Sequence, residues 1–211
     1  MSAKVISIFI IALVGLQPEL AFSAAKTVAQ ACDQGDLPAL KKLVSKNVDL
    51  RGQGGETPLI RCVSAGQAAA VAYLVDRKAA LNLTNSSGRT ALAYAVSNHQ
   101  DQIAQLLISK GADVGLKFGE KKENLLFEAI RAGALEILPV ILKSKPSIVN
   151  DKNVDGESAL FEAVRSEQSQ AAVLLLKSGA DRDIRNNSGL RAIDLADPKI
   201  DTKIIAVLKA H

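Results

Sequence analysis

A group of five residues returns along this chain at an almost fixed interval, and that interval limits the fold more than any other feature. The groups are Thr57-Pro58-Leu59-Ile60-Arg61, Thr90-Ala91-Leu92-Ala93-Tyr94, Asn124-Leu125-Leu126-Phe127-Glu128, Ser158-Ala159-Leu160-Phe161-Glu162 and Arg191-Ala192-Ile193-Asp194-Leu195. Their first residues are 33, 34, 34 and 33 positions apart. A constant period in this range marks one supersecondary unit repeated and stacked, because each unit can bury its apolar face only against its neighbours. Such an array offers a long, shallow surface rather than an enclosed cavity for chemistry.

The units share an internal plan. A Gly stands two residues before most of the groups: Gly55, Gly88, Gly156 and Gly189. Small and apolar residues follow as Cys62-Val63, Ala95-Val96, Ala129-Ile130, Ala163-Val164 and Leu195-Ala196, and then a break at Gly66, His99, Gly133 and Glu167. A second apolar stretch comes next, for example Val71/Leu74/Val75, Ile103/Leu106/Leu107 and Ala172/Leu175/Leu176. Spacings of three and four put these side chains on one helical face. Gly111-Ala112-Asp113 and Gly179-Ala180-Asp181 close their units, with Lys78-Ala79-Ala80 as a weaker version. Gly after a helix fits a left-handed C-terminal cap. Each unit therefore reads as turn, short helix, tight turn, second helix, stop and loop.

On these residues the chain resembles the ankyrin repeat family. Gly55 to Asn82 fits the family pattern best, with Thr57, Pro58, Leu59, Gly66, Val71, Leu74, Ala79 and Asn82 in place. The family's histidine is replaced throughout by Ile60, Ala93, Phe127, Phe161 and Asp194. The resemblance implies an all-α solenoid of stacked helix-turn-helix units joined by hairpin loops. It divides the chain into a capping unit at 24–52, repeats at 53–85, 86–119, 120–153 and 154–186, and a closing unit at 187–211. In the first unit Gly35 marks the helix break and Leu43-Val44 the apolar pair.

Residues 1–23 read as a secretory signal. Lys4 precedes an apolar run from Val5 to Leu16, and Ala21-Phe22-Ser23 supplies small residues for cleavage before Ala24; cleavage before Lys26 fits nearly as well. The run is short of the ~20 residues that span a bilayer as a helix. Cleavage removes Lys4 and Glu19 together and leaves the net charge at +4. That excess is spread thinly, with few aromatics, so it does not argue for nucleic acid. An ankyrin array behind a signal peptide resembles a bacterial periplasmic protein, monomeric when free.

Motifs for catalysis are missing. His99 and His211 are the only histidines, and neither has a nucleophile or carboxylate partner in the pattern. Arg51-Gly52-Gln53-Gly54-Gly55 lacks the Lys-Ser/Thr of a phosphate loop. The chain is therefore expected not to be an enzyme, and to carry no cofactor and no metal. Asp151, Asn153, Asp155, Gly156 and Glu162 do fit a calcium-loop pattern. The same residues form the inter-repeat loop, however, and Lys145 to Val149 reads as a stop and extended run rather than a preceding helix. Cys32 and Cys62 fall at neighbouring small-residue slots. A disulfide suits an exported chain, but stacked helices lie ~8–10 Å apart, and a disulfide needs Cα atoms within about 7 Å. That spacing favours two free, buried cysteines.

In the family, partners are held by loop tips and the open side of the first helices. Carried onto this chain, those positions include Glu56, Arg89, Lys121 and Glu157 on tips, and Ser97, Asn98, Arg131 and Arg165 on helices. The loop from Val114 to Glu123 departs most from the pattern: it differs in length by one residue, has Lys122 where Gly is expected, and carries Leu116 and Phe118. Phe118 either anchors a partner or folds onto the next repeat. The expected function is a periplasmic protein-binding module that restrains an envelope enzyme, as an inhibitor or immunity factor toward a cell-wall hydrolase or peptidase. The alternative is an accessory scaffold for an oxidative-stress enzyme.

Overall fold

The computed structural model describes residues 27–197 and 202–210. The segment read as a secretory signal, with both cleavage sites, lies outside them. The chain divides into two compact units, 1–91 and 92–211, described in turn. Among the described residues the regular structure is helical, with isolated β-bridges and no named strand, as the all-α repeat reading requires.

In the first unit, α1 runs through 27–34, followed by α2 (Leu37–Leu43), α3 (Pro58–Ser64) and α4 (Ala68–Asp76). Helix α3 starts as its sequence dictates: the Thr57 hydroxyl accepts from the Ile60 N–H at 3.2 Å, and Pro58 fills the first turn. α3 packs on α4, and α2 on α4. In the first unit of the pattern the buried apolar pair is Leu40 and Val44 rather than Leu43 and Val44, since Leu43 is only half-buried. A spacing of four keeps both side chains on one face.

The expectation of free cysteines is overturned. Cys32 and Cys62 are joined by a disulfide with Cα atoms 4.7 Å apart, and both are fully buried. The ~8–10 Å spacing of stacked helices separates their axes, not their atoms. Cα atoms sit ~2.3 Å from a helix axis, so on facing sides of helices ~8–10 Å apart they come within bonding reach.

The second unit holds α5 (Ala91–Ser97), α6 (Asp101–Ser109), α7 (Leu125–Ala132), α8 (Leu138–Ser144), α9 (Ala159–Arg165), α10 (Ser169–Lys177) and α11 (Thr202–Ala210). First helices stack on first helices, as α7 on α9, and second on second, as α6 on α8, α8 on α10 and α10 on α11. Ala129 and Ala163 lie fully buried on the first helices. Phe127 and Phe161 fill the positions where the family has histidine and are almost completely buried; full burial of such a side chain is worth about 1.5–3 kcal/mol. Two elements differ from the sequence reading. Pro146–Asn150 is a 3-10 turn that buries Ile148 and Val149, not an extended run, and the last pentad forms a 3-10 turn, Ala192–Leu195, not an α-helix.

The helix breaks are one device repeated. Gly66, His99, Gly133 and Glu167 all have positive φ, between 54° and 71°. At each, the next residue's N–H reaches back to the first helix: Gln67 to Cys62 O, Gln100 to Ala95 O, Ala134 to Ala129 O and Gln168 to Ala163 O, at 2.8–2.9 Å. This is the Schellman closure. It explains why a break survives without glycine at His99 and Glu167, at a cost of ~1–2 kcal/mol for a left-handed non-glycine residue.

Candidate functional site

The loops are tight hairpins built by asparagine. The Asn85 Oδ1 accepts from the N–H groups of Ser87 and Arg89, Asn153 from Asp155 and Glu157, and Asn186 from Ser188 and Leu190, at 2.9–3.0 Å. Each Asn N–H also donates across its loop, to Arg89 O, Glu157 O and Leu190 O. The departing loop closes one residue wider, with Phe118 and Glu123 exchanging backbone bonds at 2.9 and 3.1 Å. Lys122 holds the left-handed conformation of the missing glycine, with φ 53°. Leu116 and Phe118 are both half-buried.

These hairpins set the acids of the second unit against its first helices. Arg131, at the end of α7, donates to Glu123 at 2.9 Å and to Glu162 at 3.4 Å, with Glu128 at 3.9 Å. One repeat on, Arg165 donates to both oxygens of Glu157 at 2.8 and 2.9 Å, and to Glu162 at 3.2 Å. Ser166 and Asn186 also donate, to Glu162 and Glu157 respectively. The carboxylate side chains are only 7–11% exposed, whereas the two arginines are 46–47% exposed. The result is a row of four carboxylates sunk in the structure, bridged by two half-exposed guanidiniums.

The electrostatics follow. Hydrogen bonds to the Glu157 carboxylate hold the Arg165 guanidinium above its ordinary pKa despite burial. At Arg131 burial opposes the charge, but Glu123 and Glu162 outweigh it and raise the pKa. Both groups therefore stay charged, and donors not already engaged can reach a partner's carbonyl or carboxylate.

The structure distributes the expected binding residues unevenly. It brings Arg131, Glu157 and Arg165 into this one cluster. Glu157 is buried there rather than standing on a tip, because its carboxylate is engaged by Arg165. Lys121 is exposed and pairs with Asp155 of the next loop at 3.1 Å. Ser97 spends its hydroxyl on Ala93 O and Tyr94 O of its own helix, while Asn98 is exposed. In the first unit Glu56 lies 3.7 Å from Arg61, which also pairs with Asp33, and Arg89 is half-buried. Glu128 has no binding role in the sequence reading, and Glu162 has one only through the calcium pattern. A signal existed: Glu, then Glu five residues on, then Arg three further, occurs at 123/128/131 and again at 157/162/165.

The calcium-pattern residues are separated into other roles. Asn153 shapes the hairpin, Asp155 pairs with Lys121, and Glu162 joins the arginine row. Among the described residues no group of His, Cys, Asp or Glu is placed to hold a metal ion, and no helix is long and apolar enough to cross a membrane.

Comparison with known proteins now has a geometry to meet. A family profile for ankyrin repeats in three copies matches residues 28–118, and one for a single ankyrin repeat matches 155–187. The chain is similar to a probable 26S proteasome regulatory subunit, p28, of Saccharomyces cerevisiae, at 33% identity over 74% of this chain and 70% of that protein. It is also similar to alpha-latrotoxin-Lg1a of Latrodectus geometricus, at 29% identity over 89% of this chain but only 14% of the toxin. Among solved structures it matches a chain in the complex of a predatory endopeptidase from Bdellovibrio bacteriovorus with an immunity protein, at TM-score 0.78 and 32% identity, over 88% of this chain and 97% of that one. With the repeated pentads, the Schellman breaks and the asparagine hairpins, these matches establish that the chain belongs to the ankyrin repeat family.

Proposed function

We propose that this protein is an exported ankyrin module that binds and restrains an enzyme of the bacterial envelope, a peptidase or other cell-wall hydrolase, as an immunity factor. One observation carries the reading: the similarity, over 97% of the matched chain, to a chain of an endopeptidase–immunity protein complex. The Lys4, Val5–Leu16 and Ala21-Phe22-Ser23 pattern supports export to the periplasm. The Cys32–Cys62 disulfide fits an oxidising compartment. The arginine row supports a protein partner, since Arg is enriched among the few residues that dominate interfaces.

The test is capture of partners from envelope extract on the purified mature protein, followed by assay of the captured hydrolase on cell-wall peptide. Loss of hydrolysis at stoichiometric addition is expected. Full activity of the enzyme in the complex overturns restraint and leaves a scaffold. Intact mass of the envelope-localised protein checks export, and retention of Met1 overturns it.

A further inference from the structure

Within each compact unit, neighbouring loops are fastened tip to tip by one backbone hydrogen bond in a constant register. The Ser86 N–H donates to Gly54 O at 2.7 Å in the first unit; in the second, Val154 donates to Lys121 O and Asn187 to Asp155 O, both at 2.9 Å. Each donor stands four residues before its pentad and each acceptor three before the preceding one. The equivalent donor of the first loop is Gln53. It is exposed, and among the described residues nothing accepts from its N–H.

Beside it lies a cleft of about 470 Å³, within the size range of binding pockets. Its floor includes Val28, Leu50 and Pro58, and Glu56 and Arg61 line it too. Within the lining Glu56 lies 3.7 Å from Arg61, so its charged groups already face each other.

We propose that this cleft takes an extended segment of the partner protein, which continues the loop ladder in place of a preceding tip. A carbonyl of the segment accepts from the Gln53 N–H, and an apolar side chain enters the cleft. Adding an extended segment to an open backbone edge is an established mode of peptide recognition, in which main-chain bonds give affinity and pockets give specificity. The identity of that partner as the restrained enzyme rests on the function proposed above; the cleft's preference for an extended apolar segment does not.

The test selects binders to the mature protein from a displayed library of random ten-residue peptides and measures the best by fluorescence anisotropy. The decisive variant is Gln53→Pro. Gly52 is extended, at φ −94° and ψ −162°, and Gln53 opens a 3-10 turn, so proline fits the backbone while deleting the donor. Gln53→Ala keeps the donor. We expect selected peptides rich in apolar residues, affinity at least tenfold weaker for Gln53→Pro, and a change below twofold for Gln53→Ala. An Ala29→Arg variant, which fills the cleft from α1, should abolish binding. The Gln53 amide should exchange freely in the unliganded protein and slow with peptide. Failure to select any peptide, or equal binding to Gln53→Pro, overturns the proposal. So does protection of Gln53 in the free protein, since the chain itself, or a second copy if protection rises with concentration, then fills the cleft. If hydrolase inhibition persists while these peptide results fail, the cleft is wrong and the functional reading stands; the reverse outcome separates them the other way.

Discussion

The two compact units solve one problem in two ways. Each must hold successive first helices together at a slot lined by small residues. The first unit does so covalently, through Cys32 and Cys62. The second places alanines in those slots, Ala129 and Ala163, and ties α7 to α9 through Arg131 and Glu162, while Arg165 fastens the hairpin carboxylate Glu157 to α9. The fifth pentad position carries the contrast: it is Arg61 in the first unit and Glu128 and Glu162 in the second. The same backbone plan therefore tolerates a covalent or an ionic fastening, and the two differ in what disturbs them. A disulfide answers to reductant, and a half-buried ion network to loss of one partner.

The largest effect should come from attacking what both units share, the apolar core. Leu160 is 1% exposed on α9. Leu160→Asp buries an unpaired charge, which belongs to the rare class of changes costing more than about 4 kcal/mol. It should unfold the second unit, because stacking is lost on both sides of the repeat. Circular dichroism melting checks it, and an unchanged Tm would break the repeat register.

Next comes the covalent fastening. Replacing both cysteines by alanine reproduces the second unit's slot. Cross-linking residues 30 apart restricts the unfolded chain enough to contribute about 3–4 kcal/mol. Hydrogen exchange should show faster opening at Val63 and Leu74, with Leu126 and Leu160 unchanged. If all four respond alike, the units are not separately fastened.

The ionic fastening should be weaker. Arg165→Ala leaves Glu157 and Glu162, 7–8% exposed, short of a partner. Breaking a fully buried pair costs about 3–5 kcal/mol; with the guanidinium half in water, about 1–2 kcal/mol is expected. Denaturant unfolding measures it. A loss as large as that of the double cysteine variant would erase the contrast. A smaller gain is expected from Lys122→Gly, which relieves a left-handed residue at φ 53° and should stabilise the second unit by roughly 0.5–1 kcal/mol.

What the sequence made legible follows from what repeats. The pentads, the breaks at Gly66, His99, Gly133 and Glu167, and the closing Gly111 and Gly179 recur, so helices and their ends could be placed before any geometry was known. The left-handed conformation at Lys122 was legible because the pattern demanded glycine there. Features belonging to one repeat, or to contacts between repeats, were not. The disulfide depends on a facing Cα distance that no spacing rule states. Glu157 looked like a free tip because its partner, Arg165, lies eight residues away, on the neighbouring helix. The 3-10 turn at Pro146–Asn150 arises because Ile148 and Val149 turn inward, which alternation in five residues cannot reveal.

The smallest effect concerns acid. In the second unit Asp113 closes a repeat: its carboxylate accepts from the Gly115 N–H at 2.9 Å and pairs with Lys145, on the next repeat, at 3.2 Å. The Gly115 bond, helped by Lys145, holds its pKa below the ordinary 3.8 against the opposing effect of burial. With the folded value depressed, the unfolded chain takes up the proton first. The contribution of Asp113 to stability is therefore complete above about pH 4 and is lost as pH falls through the folded value. Asp113→Asn keeps an oxygen for the Gly115 N–H and removes the charge. It should leave the turn intact, lower stability slightly at pH 7, and converge with the parent at pH 2. Paired urea titrations at the two pH values give the comparison. A difference that persists undiminished at pH 2 would mean that the ion pair with Lys145 is not what the carboxylate contributes.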